Sequence, residues 1–237
     1  MVYWFGGTKS TYSNVNGVAG EVTYRQANNA NTGISIRAYN MFKNSNVEYF
    51  NEFRYFNLTG SYSMFDGASK LKEITIPPSF TSFGTYCFRG CSSLKKIVFL
   101  GSSANFMERS FAYTAITRIE IPNLQFMFNK YTGVHYWESA TNGLDDSPFK
   151  NSAHVYIGDN EITSLVVPED RMSINQACIA GCKYITSVVL HNNITSIGEL
   201  AFAFSGITTI NIPNSVISIS NRICYKCTDL TTASIGN

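Results

Sequence analysis

Short runs of the form I-x-I recur along the chain and are followed by proline: "ITIPP" (Ile74–Pro78), "IEIP" (Ile119–Pro122), "LVVP" (Leu165–Pro168) and "INIP" (Ile210–Pro213). Alternation with period two marks a strand with one buried face. Proline cannot donate to a ladder, so it ends each strand. Three residues before each run stands another apolar residue: Leu71, Ile116, Ile162 and Ile207. Written in that frame, the chain repeats. Units run 71–93, 94–115, 162–184, 185–206 and 207–229, with a further one opening at Ile116 and another at Leu230; the period is 22 or 23 residues. In the second half of each unit an apolar residue stands five or six before the next unit: Phe88, Phe111, Ile179, Phe202 and Cys224.

The repeat changes the reading of the six cysteines. Cys87 and Cys91, four apart, look like half of a metal or redox site, as do Cys178 with Cys182 and Cys224 with Cys227. In frame, Cys87 and Cys178 occupy the small position that Ala201 fills elsewhere. Cys224 takes the bulky position of Phe88. Cys91, Cys182 and Cys227 share a column with Thr114 and Ser205. Other units fill every one of these positions with residues that are not metal ligands, and buried free cysteine packs as a small hydrophobe. The expectation is packing rather than zinc or redox chemistry, with disulfides left open because spacing does not settle geometry.

The string I-x-I-P-x-S-V-x-S-I-x-x-x-A-F-x-x-C-x-x-L resembles the BspA-type leucine-rich repeat. "INIPNSVISISNRICYKCTDL" (Ile210–Leu230) and "SVVLHNNITSIGELAFAFSGI" (Ser187–Ile207) carry the resemblance, and "HVYIGDNEITSLVVPED" (His154–Asp170) is similar to a variant in which a short hairpin leads into the strand. The likeness extends from the mid-thirties to the end of the chain. It implies a leucine-rich repeat solenoid, α/β horseshoe-like and β-rich, with a parallel sheet on one face and loops and short helical turns on the other. A single unit cannot bury its own apolar face, so some eight units stack into a continuous core. That core should hold the I-x-I residues, Ile162, Leu190, and second-half residues such as Phe83, Phe106, Ile197 and Ile219. Residues 1–33 read as an N-terminal cap or non-repeat segment, and 34–237 as the solenoid, with an insertion at about 128–149. "LTTASIGN" starts a strand with no cap, an open edge suited to a second copy or to continuation of the array.

Composition narrows the function. Only 14% of the 237 residues are charged, against 44% hydrophobic, and the formal net charge is +2. No basic block exists to neutralise phosphates, so nucleic acid is not an expected partner. No apolar run approaches the roughly 20 residues of a membrane span, and the N-terminus lacks the charged and apolar regions of a secretory signal. The chain is therefore expected either to be a mature or excised piece or not to use that route. His135, His154 and His191 lie in different units and match no H-E-x-x-H, G-x-S-x-G or phosphate-loop motif. No catalysis and no cofactor is expected. His135, Glu138, Asp145 and Asp146 could meet around a cation, though a solvated turn is commoner. Asn57 and Asn193 head glycosylation sequons.

Binding is the remaining class. Strand residues pointing outward form a ladder: Glu73/Thr75, Lys96/Val98, Arg118/Glu120, Ser164/Val166, Ser187/Val189 and Thr209/Asn211. Lys96, Arg118, Glu120, Val166 and Val189 are the partner-binding candidates there, although a plain solvated face is the blander reading. The insertion adds Tyr131, His135, Tyr136 and Trp137, aromatics suited to recognition but equally to covering the broken repeat. The resemblance implies a non-enzymatic adhesion module, extracellular or at the cell surface, that holds a protein or surface glycan. The alternative is a bacteriophage virion component, fibre or decoration, contacting the bacterial surface.

Overall fold

The computed structural model describes residues 35–50, 57–132, 147–149 and 153–236. Within them each unit supplies a main strand, then a short strand on a second face, then a tight turn that leads to the next unit. The result is a β-solenoid of about seven turns. Main strands pair in parallel and in register, so Ile74 lies beside Ile97, Ile97 beside Ile119, and Ile119 beside Val155. Alternation does what the sequence pattern demands: in Glu73–Ile76 the isoleucines are buried while Glu73 is exposed and Thr75 half-buried. The opposite side has the helix Gln125–Asn129, the only one among the described residues, and also carries parallel ladders of its own. Ser82–Phe83 pairs with Asn105–Phe106, which pairs with Tyr131–Thr132; Ser173–Ile174, Ser196–Ile197 and Ser218–Ile219 form a second such set. The unit opened by Ile116 therefore continues on this side through Thr132.

Between the faces runs an apolar core that is continuous through both halves. Phe42, Phe65, Phe88 and Phe111 form a column of rings. Successive centroids are 5.1, 5.1 and 5.2 Å apart and the planes within 21° of parallel. Cys87, Cys91, Cys178 and Cys182 are buried as free thiols. Three expected core residues differ. Ile162 and Leu190 are only half-buried at the edge of the core, and Ile219 is 42% exposed. Ile219 lies on the last strand of its ladder, so no further strand covers it.

The turns form a third ladder. In each, two residues four apart take left-handed backbone, with the column residue midway: Ser63 and Gly67 around Phe65, Tyr86 and Gly90 around Phe88, Arg109 and Tyr113 around Phe111, Ala177 and Gly181 around Ile179, Leu200 and Phe204 around Phe202. This conformation costs a non-glycine residue about 1–2 kcal/mol. It is held because alternate N–H groups turn along the solenoid axis and donate to the next unit. Tyr86, Phe88 and Gly90 donate to Glu108, Ser110 and Ala112 at 3.1, 2.7 and 2.8 Å; Ala177, Ile179 and Gly181 repeat the set.

Asp66 sits in one such turn, 4% exposed. Arg89 of the next unit donates to both its oxygens at 2.8 and 2.7 Å, and Lys43 of the preceding unit lies 3.3 Å away. Burial pushes the carboxyl up, but the Arg89 and Lys43 hydrogen bonds and charges outweigh it and hold it below the usual carboxylate range. Its stabilising contribution is complete above the unfolded value near ~3.9 and is lost as pH falls through the lower folded value. Asp66→Asn should lower stability at pH 7 by about 1–2 kcal/mol. In urea titrations its deficit should shrink as the pH falls through the lowered range in which the wild-type carboxyl protonates.

Among the described residues the main sheet is interrupted once. His154–Ile157 pairs in parallel with Arg118–Glu120, then turns back as an antiparallel hairpin onto Asn160–Glu161, and Ser164–Val166 begins a new sheet. On the other side the helix bridges the break. Asn175 Nδ2 donates to Phe128 O at 2.6 Å, Lys130 Nζ to Ala177 O at 3.0 Å, and Asn129 pairs with Arg171.

Candidate functional site: the outward face of the main sheets

Because main-strand side chains alternate, every second residue points away from the core and the parallel register stacks these residues in rows. Lys96 lies between Glu73 and Arg118, and Glu120 between Val98 and Tyr156. These residues form a network. Arg118 Nε donates to Glu120 Oε1 at 2.7 Å, Lys96 Nζ reaches the same oxygen at 3.0 Å, and the Arg118 guanidinium lies 3.7 Å over the Tyr156 ring. Burial raises the Glu120 carboxyl, but hydrogen bonds from Arg118 and Lys96 bring it below its ordinary value. The same bond with Glu120 raises Arg118. His154 extends the row. It contacts Glu161 and stacks on Tyr184 with centroids 3.6 Å apart.

Beyond the interruption the face changes character. Ser164 pairs with Ser187, and Ser187 with Thr209; Val166 pairs with Val189. The two valines are 54% and 50% exposed. Thr209 and Asn211 continue opposite Thr232 and Ser234. The face thus has a charged, aromatic half on the N-terminal side and a neutral half on the C-terminal side, where two valines stand among hydroxyls.

Lys96, Arg118, Glu120, Val166 and Val189 all lie on this face. Tyr131 lies apart from them, on the second-face ladder. His135, Tyr136 and Trp137 fall outside the described residues, as do Glu138, Asp145 and Asp146. Tyr156, His154 and Tyr184 join the site without having been singled out as candidates; the signal available was the hairpin variant, which places His154 and Tyr156 in the ladder. Lys130 was also missed. It is 1% exposed, lies 5.0 Å over the Phe149 ring, and burial drives its ammonium below the usual lysine range. Nothing in "FMFNKYTG" marks that lysine as different from a surface one.

A solenoid with in-register parallel ladders and an open outer face defines a repeat scaffold of the leucine-rich kind. The model of the BspA type leucine rich repeat region matches residues 26–132 and 150–237 in 6 copies, and the chain belongs to that family. No curated protein matches the chain. A leucine-rich repeat protein from Bacteroides ovatus has the same fold, with 20% identity over 96% of this chain and 65% of the other, at a TM-score of 0.54. Two more distant likenesses are a leucine rich cell surface protein from Faecalibacterium prausnitzii (22% identity, 69% of this chain and 39% of the other, TM-score 0.34) and the pneumococcal vaccine antigen PcpA (17% identity, 86% and 60%, TM-score 0.43). The chain spans less than two thirds of the length of each of these three proteins. Among the described residues no helix is long and apolar enough to cross a membrane.

Proposed function

We propose that the protein is a non-enzymatic recognition module that holds a protein or glycan at a cell surface through the outward face of its main sheets. The observation that carries this reading is the face itself. Parallel sheets are ordinarily covered on both sides, whereas this one leaves Val166 and Val189 half exposed beside a ready-made row of hydroxyls. Repeat proteins use such extended surfaces for binding. The neutral half provides apolar contact flanked by donors and acceptors. The Lys96–Glu120–Arg118–Tyr156 network, held rigid by its own ion pairs, adds charge and an aromatic ring at little entropic cost on binding. The aromatics of the 129–150 segment belong to the same proposal. No observation favours the virion alternative.

The test is binding of the full chain to immobilised extracellular-matrix proteins and surface glycans. Wild type should bind a member of the panel. A Val166→Lys/Val189→Lys double variant should lose about tenfold or more in affinity with an unchanged melting temperature. Arg118→Ala/Glu120→Ala should weaken binding less and alter its salt dependence. Binding that is indifferent to all four substitutions and lost only in Trp137→Ala would move the site to the insertion. A wild-type chain that binds nothing in the panel would overturn the reading.

A further inference from the structure

The last complete turn departs from all the others. At the column position, where other units place Phe42, Phe65, Phe88, Phe111, Ile179 or Phe202, it has Cys224; three residues on, it has Cys227. The ring column and the thiol column, elsewhere different chemistries, both become thiols within one turn. Cys227 N–H donates to Cys224 O at 3.2 Å, closing a four-residue turn that holds the two α carbons within about 7 Å. A disulfide spans about 4.4–6.8 Å between α carbons. Both sulfurs are present as free thiols.

Exposure separates this pair from the other four cysteines. Cys87, Cys91, Cys178 and Cys182 are buried, and burial pushes their thiols well up, to about 12 for Cys91 and Cys182 and about 11 for Cys178. Cys224 and Cys227 are half-buried. Cys227 Sγ also contacts Ser205 Oγ at 3.7 Å. The neighbouring Cys224 thiol and the Ser205 hydroxyl favour the Cys227 thiolate and outweigh burial, holding it below the usual thiol range, while the same pairing raises Cys224. The Phe202 carbonyl, 3.0 Å from Cys227 Sγ, opposes this by accepting from the thiol form.

We propose that Cys224 and Cys227 form a reversible thiol–disulfide site that exchanges with low-molecular-weight disulfides. Cys227, as the thiolate, attacks one sulfur of the small disulfide. That S–S bond breaks, one thiolate departs and takes a proton from solvent, and a mixed disulfide remains on Cys227. Cys224 gives its proton to solvent and attacks Cys227 Sγ, expelling the second small thiolate. Two protein thiols are oxidised to one disulfide, and the small disulfide is reduced to two thiols. The product cross-links the terminal turn.

The experiment exposes the full chain to glutathione disulfide near neutral pH, alkylates it and digests it with trypsin, which cuts after Lys226 between the two cysteines. Wild type should lose two hydrogens in mass and hold the two flanking peptides together until dithiothreitol separates them. Cys224→Ser should stop at glutathione on Cys227. Cys227→Ser should acquire glutathione at Cys224 at least about tenfold more slowly; serine is already the residue of the equivalent position in the unit above, Ser205. Should that variant fail to fold by circular dichroism, timed iodoacetamide labelling of wild type decides the order, with Cys227 expected first. Both peptides remaining separate and fully alkylated, a cross-link at another pair, or equal rates at the two thiols would overturn the proposal.

Discussion

Phe88→Ala is expected to cost about 3–5 kcal/mol, among the largest losses any single truncation would produce in this chain. Phe88 is fully buried at the middle of the ring column. It stacks on Phe65 at 5.1 Å with planes 6° apart and on Phe111 at 5.2 Å with planes 21° apart. It also touches Phe83 of the second-face ladder, at 6.2 Å between centroids. Removing the ring deletes apolar burial and two stacked contacts. The cavity cannot close, because the turn is pinned to the next one by hydrogen bonds from Tyr86, Phe88 and Gly90, and to the preceding one by those that Ser63, Phe65 and Gly67 donate to Thr85, Cys87 and Arg89. Phe88→Leu fills most of the volume and should cost under about 1.5 kcal/mol. Chemical denaturation of both variants measures the difference; equal midpoints would show that the column does not carry the load assigned to it.

Gly206→Ala is expected to cost about 3 kcal/mol, for a reason of spacing rather than of backbone angle. The 185–206 unit is one residue shorter than the 162–184 unit before it, so its closing residue rides against the chain below. A Cβ on Gly206 would lie 1.9 Å from Lys183 O and 2.9 Å from Lys183 C. Those are backbone atoms, and relief requires the two turns to separate along the ladder from Gly206 N–H to Cys182 O. Ala115 closes the other short unit, 94–115. Ala115→Gly should therefore change stability by no more than about 1 kcal/mol. Thermal melts of the pair distinguish a local clash from a general intolerance at that position.

Much of the fold was legible because several linked positions recur in each unit. The I-x-I strands, their prolines and the Phe column each narrow the register, and together they place Ile97 between Ile74 and Ile119, as the structure has it. The hairpin at His154–Glu161 was legible from the same kind of resemblance. What was hidden depends on ends and on neighbours distant in sequence. Ile219 occupies a core position by pattern and is exposed because burial in a solenoid comes from the next unit, not from the residue's own. Lys130 looks like a surface lysine until Phe149 and Ala177 close over it. The second-face ladders were missed for a physical reason: two-residue strands such as Ser196–Ile197 are too short to show alternation. On the candidate site, the ladder was readable from strand parity, whereas the clamp of Arg118 between Glu120 and Tyr156 required the hairpin to bring Tyr156 alongside.

All three ladders place their inter-unit hydrogen bonds along the solenoid axis, and that orientation sets how the molecule answers to pulling. A force that draws the two ends apart along the axis does not shear a broad sheet, where many bonds would resist at once. It loads the ladders end-on, so the bonds of one turn break before those of the next are strained. A turn at the end of a stack, held from one side, yields before one in the middle, and each released turn gives its 22 or 23 residues of slack. A solenoid built this way lengthens in small steps under tension while the turns still stacked keep their outer face intact.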